Sequence, residues 1–301
     1  MPELAMVQNY LRVARSGMSN NHHHWLTPFL KFLDNKIELE ISCNEVKDSN
    51  KQEEFQIKIG DCNIATNFQC FLNKLEVYEE KKLIKFLENL DTALAKSIKE
   101  DKNDLLVISN NVLRELEIKN EQMSVKDTFF TEEDIPNLDR GTATLHYWFY
   151  RLEYYLWKNA EVNGDKVKIC GKEMDKKKFD NFYFRNLNSI EHVQAQSKAN
   201  ENDWTNEKID NFGNLALISS SFNSSLNNQD VPSKYRDFQK RYMDNKKAVI
   251  SLKLWLIYTL AENNENETEK NNENKITWTF GKAQEHKNQM LEVLKKSFKS
   301  S

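Results

Sequence analysis

The sequence predicts an α+β protein that is mostly helical. Seven glycines and four prolines in 301 residues lie well below the ~12% of average usage, so turns are few and helices long. Most apolar residues recur at three- and four-residue spacing, and alternation with period two is confined to short stretches.

The elements follow in order. From Pro2 to Asp34 helical spacing joins Val7, Tyr10 and Leu11, then Leu26, Phe29, Leu30 and Leu33; the SGMSNN break makes this two helices and a turn. His22, His23 and His24 lie in that break. Three consecutive side chains point in different directions and rarely close on one ion, so they read as a polar loop or helix start. Ile37, Leu39, Ile41 and Cys43 alternate with polar residues, as do Phe55, Ile57 and Ile59, which predicts two short paired strands. From about Ala65 to Glu117 the helical period returns, with one stripe of Phe68, Phe71, Leu72 and Leu75 and another of Leu83, Phe86, Leu87 and Leu90.

The stretch Thr128 to Thr142, with breakers Pro136 and Gly141, divides the chain into an accessory region 1–140 and a second domain 141–301. Leu145, Trp148, Phe149, Leu152, Tyr155 and Leu156 then form one buried helix face, leaving His146 and Glu153 off it. A short buried helix spans Leu252 to Leu260. The polar AENNENETEKNNENK that follows cannot build a core, and a last helix runs from Trp278 and Phe280 through Met290, Leu291 and Leu294.

Composition excludes several classes. No apolar run approaches the ~20 residues that a membrane-spanning helix needs, and the N-terminus shows no signal-peptide pattern, so the expected location is cytoplasmic. Cys43, Cys62, Cys70 and Cys170 form no CxxC pair. GxxxxGK[ST] and GxGxxG are both absent. A net charge of −3 supplies no global attraction to nucleic acid, but a local basic patch would suffice.

One stretch reads as chemistry: SIEHVQAQSKANENDWTNEKIDNFGNLALISSSFNSSLNNQDVPSK, residues 189–234. Glu191 and His192 interrupt a β-prone segment, a loop of about twenty residues follows, a second strand spans Asn214 to Ile218, and the serines 219–221 offer N-caps for a helix holding Phe222, Asn223 and Leu226. Strand, loop, strand, helix is the outline of a ββα-metal (His-Me finger) nuclease core embedded in helices. Phosphodiester hydrolysis needs a base for water and a cation for the phosphate. An imidazole is mostly neutral at cellular pH, which makes His192 the base. The hard oxygens of Glu191 and Asn223 suit Mg²⁺ or Mn²⁺ rather than zinc.

These residues resemble the C-terminal nuclease domain of GmrSD-type, modification-dependent (Type IV) restriction endonucleases, an HNH-like family of the His-Me finger group. The resemblance rests on Ile190-Glu191-His192, Gln196, Gly213-Asn214-Leu215, Asn223, Asn227 and Lys234, and extends from about Thr142 through the helix LHYWFYRLEYYLWKNA to the C-terminus. The nine-residue step from Asn214 to Asn223 is also similar to the HNH domain of RNA-guided CRISPR nucleases. The resemblance implies His192 as general base, Asn214 as the brace of the His-bearing loop, and Glu191 and Asn223 as metal ligands, with Gln196, Asn227 and Lys234 as supporting or DNA-contacting residues. Where the family usually has proline, this chain has Ala195.

The function implied is divalent-metal-dependent DNA hydrolysis in restriction of foreign or phage DNA, with modified cytosine as the trigger. Residues 1–140 do not resemble the family's ParB-like nucleotide-hydrolysing domain, so the chain reads as a separately encoded nuclease subunit, with an NTPase partner, or as a truncated copy. The alternative is a catalytically inactive DNA- or protein-binding subunit of a defence complex. Lys234, Arg236, Lys240, Arg241, Lys246 and Lys247 after the motif, and Lys172, Lys176, Lys177, Lys178 and Arg185 before it, offer phosphate contacts or solvated helix faces.

Overall fold

The structure, a computed structural model of the chain, describes residues 3–15, 24–34, 37–40, 55–59, 62–66, 80–97, 114, 135–184, 187–201, 203–243, 251–262 and 276–298. The chain divides into two compact units, one of residues 2–11 and 19–124, the other mainly of 12–18 and 125–301. The stripe Phe68 to Leu75 and the polar run after Glu262 lie outside the described residues.

In the first unit, α2 spans Leu26–Asp34 and α3 Glu80–Ser97; α1, Glu3–Ala14, begins in it. The apolar stripe of α3, Leu83, Phe86, Leu87 and Leu90, is buried as its spacing requires. Phe32 stacks on Phe86 with ring centroids 4.1 Å apart, and the Tyr10 hydroxyl donates to Asp91 Oδ2 at 2.6 Å inside that packing. Among the described residues the unit has three strands where two were expected: β1 (Ile37–Glu40), β2 (Phe55–Ile59) and β3 (Cys62–Thr66) form an antiparallel sheet in the order β1-β2-β3. Ile59 pairs with Cys62, so β2 and β3 are a tight hairpin, and Ala65, read as helical, belongs to a strand.

The second unit is built on α4, His146–Lys158. Its sequence pattern predicts one buried face. Instead every residue from Tyr147 to Leu156 is buried, Glu153 included, because several elements surround the helix. On it pack the strand β8 (Leu215–Ile218), the helix α8 (Leu252–Ala261), which is apolar nearly all round, and the C-terminal α9 (Phe280–Lys296). After α4 comes a meander not anticipated from the sequence: β4 (Glu161–Asn163), β5 (Lys166–Ile169) and β6 (Lys172–Asp175), followed by α5 (Lys176–Asp180). The alternation in β5, with Val167 and Ile169 buried and Lys166 and Lys168 exposed, is short enough to escape a window scan.

Glu153 shows why an acidic residue sits inside α4. Its carboxylate accepts from Ser251 Oγ at 2.5 Å, Leu252 N at 2.8 Å and Lys253 N at 3.1 Å, so it caps the N-terminus of α8. Burial pushes this carboxyl up to about 7, against the pull of those donors and of the Lys253 ammonium. Lys253, equally buried, donates to Phe212 O at 2.7 Å and to Leu215 O. Glu153→Ala leaves three buried donors without their acceptor and removes the negative charge that acts on the buried Lys253, and should lower stability by about 3 kcal/mol or more. Urea unfolding of the variant checks this; a loss under about 1 kcal/mol would contradict the capping role.

Candidate functional site

The motif residues lie on and around β7 (Ser189–His192), β8 and α6 (Ser220–Leu226), with Lys234 on the helix that follows. β7 and β8 pair antiparallel, Ile190 against Leu217 and His192 against Leu215. β8 is wholly buried, which is why it reads as a continuous apolar segment rather than an alternating one; β7 is nearly as buried although Glu191 and His192 lie in it. Gly213 and Asn214, expected to open the second strand, instead form a 3₁₀ turn with Phe212 before β8 starts at Leu215. A Cβ on Gly213 would lie 1.8 Å from Ala283 O of α9, so only glycine permits this approach. Ser219 caps α6, its hydroxyl accepting from Phe222 N at 3.2 Å.

Asn214 is fully buried and uses all its hydrogen-bonding capacity. Oδ1 accepts from Gln194 N at 2.8 Å and Trp278 Nε1 at 3.1 Å; Nδ2 donates to Ile209 O at 2.9 Å and Gln194 O at 3.1 Å. One amide thus ties the chain leaving His192, the end of the long loop, and the entry to α9. Trp204, from the middle of the loop, adds a second tie by donating from Nε1 to Trp278 O at 3.0 Å.

His192, at the end of β7, is 6% exposed, and its Nε2 lies 2.8 Å from Asp210 Oδ1. Burial holds the imidazole below its usual value; Asp210 pulls it up, and Lys234 adds to the lowering. At neutral pH the ring is therefore mostly uncharged. Gln196 is exposed beside it, with Nε2 3.5 Å from the same Asp210 oxygen.

Glu191 is buried, and its Oε1 lies 2.6 Å from Lys234 Nζ. This is an ion pair without an aligned hydrogen bond, and Oε1 has no other donor. Burial pushes the carboxyl up, partly offset by the ammonium. Lys234 belongs to α7 (Val231–Met243), is 1% exposed, and also donates to His192 O at 2.6 Å. Its charge is turned inward, which argues against the DNA contact expected of it. Asn223 on α6 donates from Nδ2 to Ser189 Oγ at 2.7 Å and Ile190 O at 3.1 Å, docking the helix on β7. Asn227 is exposed just beyond α6, with a positive φ of 47°.

The donor chemistry of Glu191 and Asn223 fits a small hard cation: a carboxylate oxygen short of hydrogen bonds, and an amide whose nitrogen is spent on the strand, leaving its oxygen. The Lys234 ammonium already neutralises Glu191, so a cation at Oε1 would have to share or displace it. Among the described residues no group of three or more His, Cys, Asp and Glu is placed to hold a metal.

The sequence reading missed Asp210, Trp278 and Lys253. Asp210 is one acid among several in the loop, and its 18-residue separation from His192 carries no local signal.

Residues 119–293, more than half of the chain, match the family described as GmrSD restriction endonucleases, C-terminal domain. The match makes this a restriction-endonuclease-related protein. The chain belongs to the GmrSD C-terminal domain family. No curated protein and no solved structure matches it. Among the described residues no helix is long and apolar enough to cross a membrane.

Removing the amide of Asn214 would leave four buried groups short of a partner. Asn214→Ala should lose about 3 kcal/mol or more. The measurement is urea unfolding followed by tryptophan fluorescence, and an unchanged midpoint would refute the bracing role.

Proposed function

We propose that the second unit is a ββα-metal endonuclease of the HNH type, which hydrolyses DNA phosphodiester bonds in restriction of foreign or modified DNA. The observation that supports this most is the unit of β7, β8 and α6. It sets an imidazole kept neutral by burial at the end of a strand, beside a carboxylate, on a helix-backed hairpin.

His192 takes a proton from water as the oxygen attacks phosphorus, and the bond to the leaving oxygen breaks. Asn214 holds both the N–H and the carbonyl of Gln194, two residues after the base, so the chain leaving His192 does not drift as the proton moves. Glu191 and Asn223 would hold Mg²⁺ or Mn²⁺, which supplies charge stabilisation at the phosphate when bound. Gln196 and Asn227, both exposed, would contact the nucleic acid in this reading. DNA carrying a modified cytosine, a ParB-like NTPase subunit encoded separately, and a cytoplasmic setting complete the reading on family grounds.

A second reading rests on one observation, the Lys234 ammonium paired with Glu191. If that pair is permanent, the chain is a catalytically inactive subunit that binds DNA or a protein. A plasmid-nicking assay with Mg²⁺ or Mn²⁺ separates the two. His192→Ala should cut roughly 10²- to 10⁴-fold more slowly than wild type with DNA binding retained. Equal cutting by both proteins removes His192 as the base, and absent cutting throughout with intact binding favours the inactive subunit.

A further inference from the structure

We infer that Asp210 is a positioning residue that holds the His192 proton on Nε2 and leaves Nδ1 as the atom facing the water, with Gly141 as the seat that keeps Asp210 in place. This rests on the reading of His192 as the base.

An ionised carboxylate can only accept hydrogen bonds, so the 2.8 Å contact between Asp210 Oδ1 and His192 Nε2 requires the hydrogen on Nε2. A neutral imidazole carries one ring proton, so Nδ1 is then bare and basic. Without Asp210 the choice between the two nitrogens is left to solvent, and the form with the proton on Nδ1 cannot accept one there.

Asp210 is held from both sides along the chain. The preceding carbonyl, Ile209 O, accepts from Asn214 Nδ2 at 2.9 Å. The following residue, Asn211, accepts from Gly213 N at 2.8 Å and donates to Gln284 Oε1 at 3.2 Å. The carboxylate itself rests against Gly141. A Cβ there would fall 2.3 Å from Oδ1, 2.6 Å from Cγ and 2.9 Å from Oδ2 of Asp210, and the φ of +54° disfavours any side chain besides. Asp139, two residues earlier, fixes this segment: Oδ1 accepts from Phe212 N at 2.7 Å, and Oδ2 pairs with Lys287 Nζ at 2.5 Å. The segment 139–141 and the turn 209–214 therefore close on Asp210 together. Nothing in the packing of the core demands a carboxylate at this half-exposed position, whose side chain is 39% exposed. The imidazole does.

The test uses the full-length chain without added metal, ¹⁵N-labelled at histidine, at a pH where His192 is neutral. Two-bond proton–nitrogen correlation spectra report which ring nitrogen carries the hydrogen, and His192→Gln identifies the signal. Wild type should show the Nε2-protonated form alone. Asp210→Ala should show a mixture of both forms, and Gly141→Ala, which reaches the same contact from the other segment, should shift in the same direction. In the nicking assay Asp210→Ala should lower kcat about 10²-fold with KM for DNA little changed. A wild-type ring protonated on Nδ1, or an Asp210→Ala ring still wholly protonated on Nε2, overturns the inference. The spectra need no turnover, so if His192→Ala cuts like wild type, the base assignment fails while the tautomer result stands or falls by itself.

Discussion

The arrangement depends on a single carboxamide. Asn214 is the point at which the chain after β7, the last residues of a twenty-residue loop and the entry to α9 are fastened together, and it is wholly withdrawn from water. A buried amide with every donor and acceptor engaged stabilises only one geometry, since any displacement strands a polar group in the interior. The position of His192, two residues before Gln194, follows from that fastening. Gly213 contributes by absence: its missing side chain lets the turn lie against the backbone of α9.

Charge is used inside this unit as structure. Glu153 caps α8 from a neighbouring helix, Lys253 gathers two carbonyls at the start of β8, and Lys234 gathers Glu191 and the carbonyl of His192. Each buried ion finds several partners, the condition under which such groups are tolerated at all. In each case the partners include a main-chain group at or next to the end of a strand or helix, where regular hydrogen bonding runs out.

Much of the fold was legible in the sequence because periodicity is local. The stripe of α3, the extents of α8 and α9, and the strand–loop–strand–helix order around His192 can be read from spacing and from Ser219 as a cap. The all-round burial of α4 was not legible, since it depends on how many neighbours the helix acquires, and Glu153 lay off the predicted face for that reason. The candidate site was half legible. His192, Glu191, Asn214 and Asn223 announce themselves as a motif, but the partners that set their chemistry, Asp210, Lys234 and Trp278, are brought in by the path of a loop and by helices distant in sequence. Lys234 was picked out as a surface cation, and its inward turn follows from the packing of α7 against the hairpin rather than from its own context.

The inward-facing lysines also bear on ionic strength. Mobile ions screen exposed charges over roughly 8 Å at physiological salt but hardly enter a dry interior. The ties from Lys234 and Lys253 to the hairpin are therefore insulated from the medium, whereas exposed cations such as Lys240 feel it fully. Brine that weakens the contacts of the exposed cations would leave the scaffold beneath them standing, so surface and architecture respond to different variables.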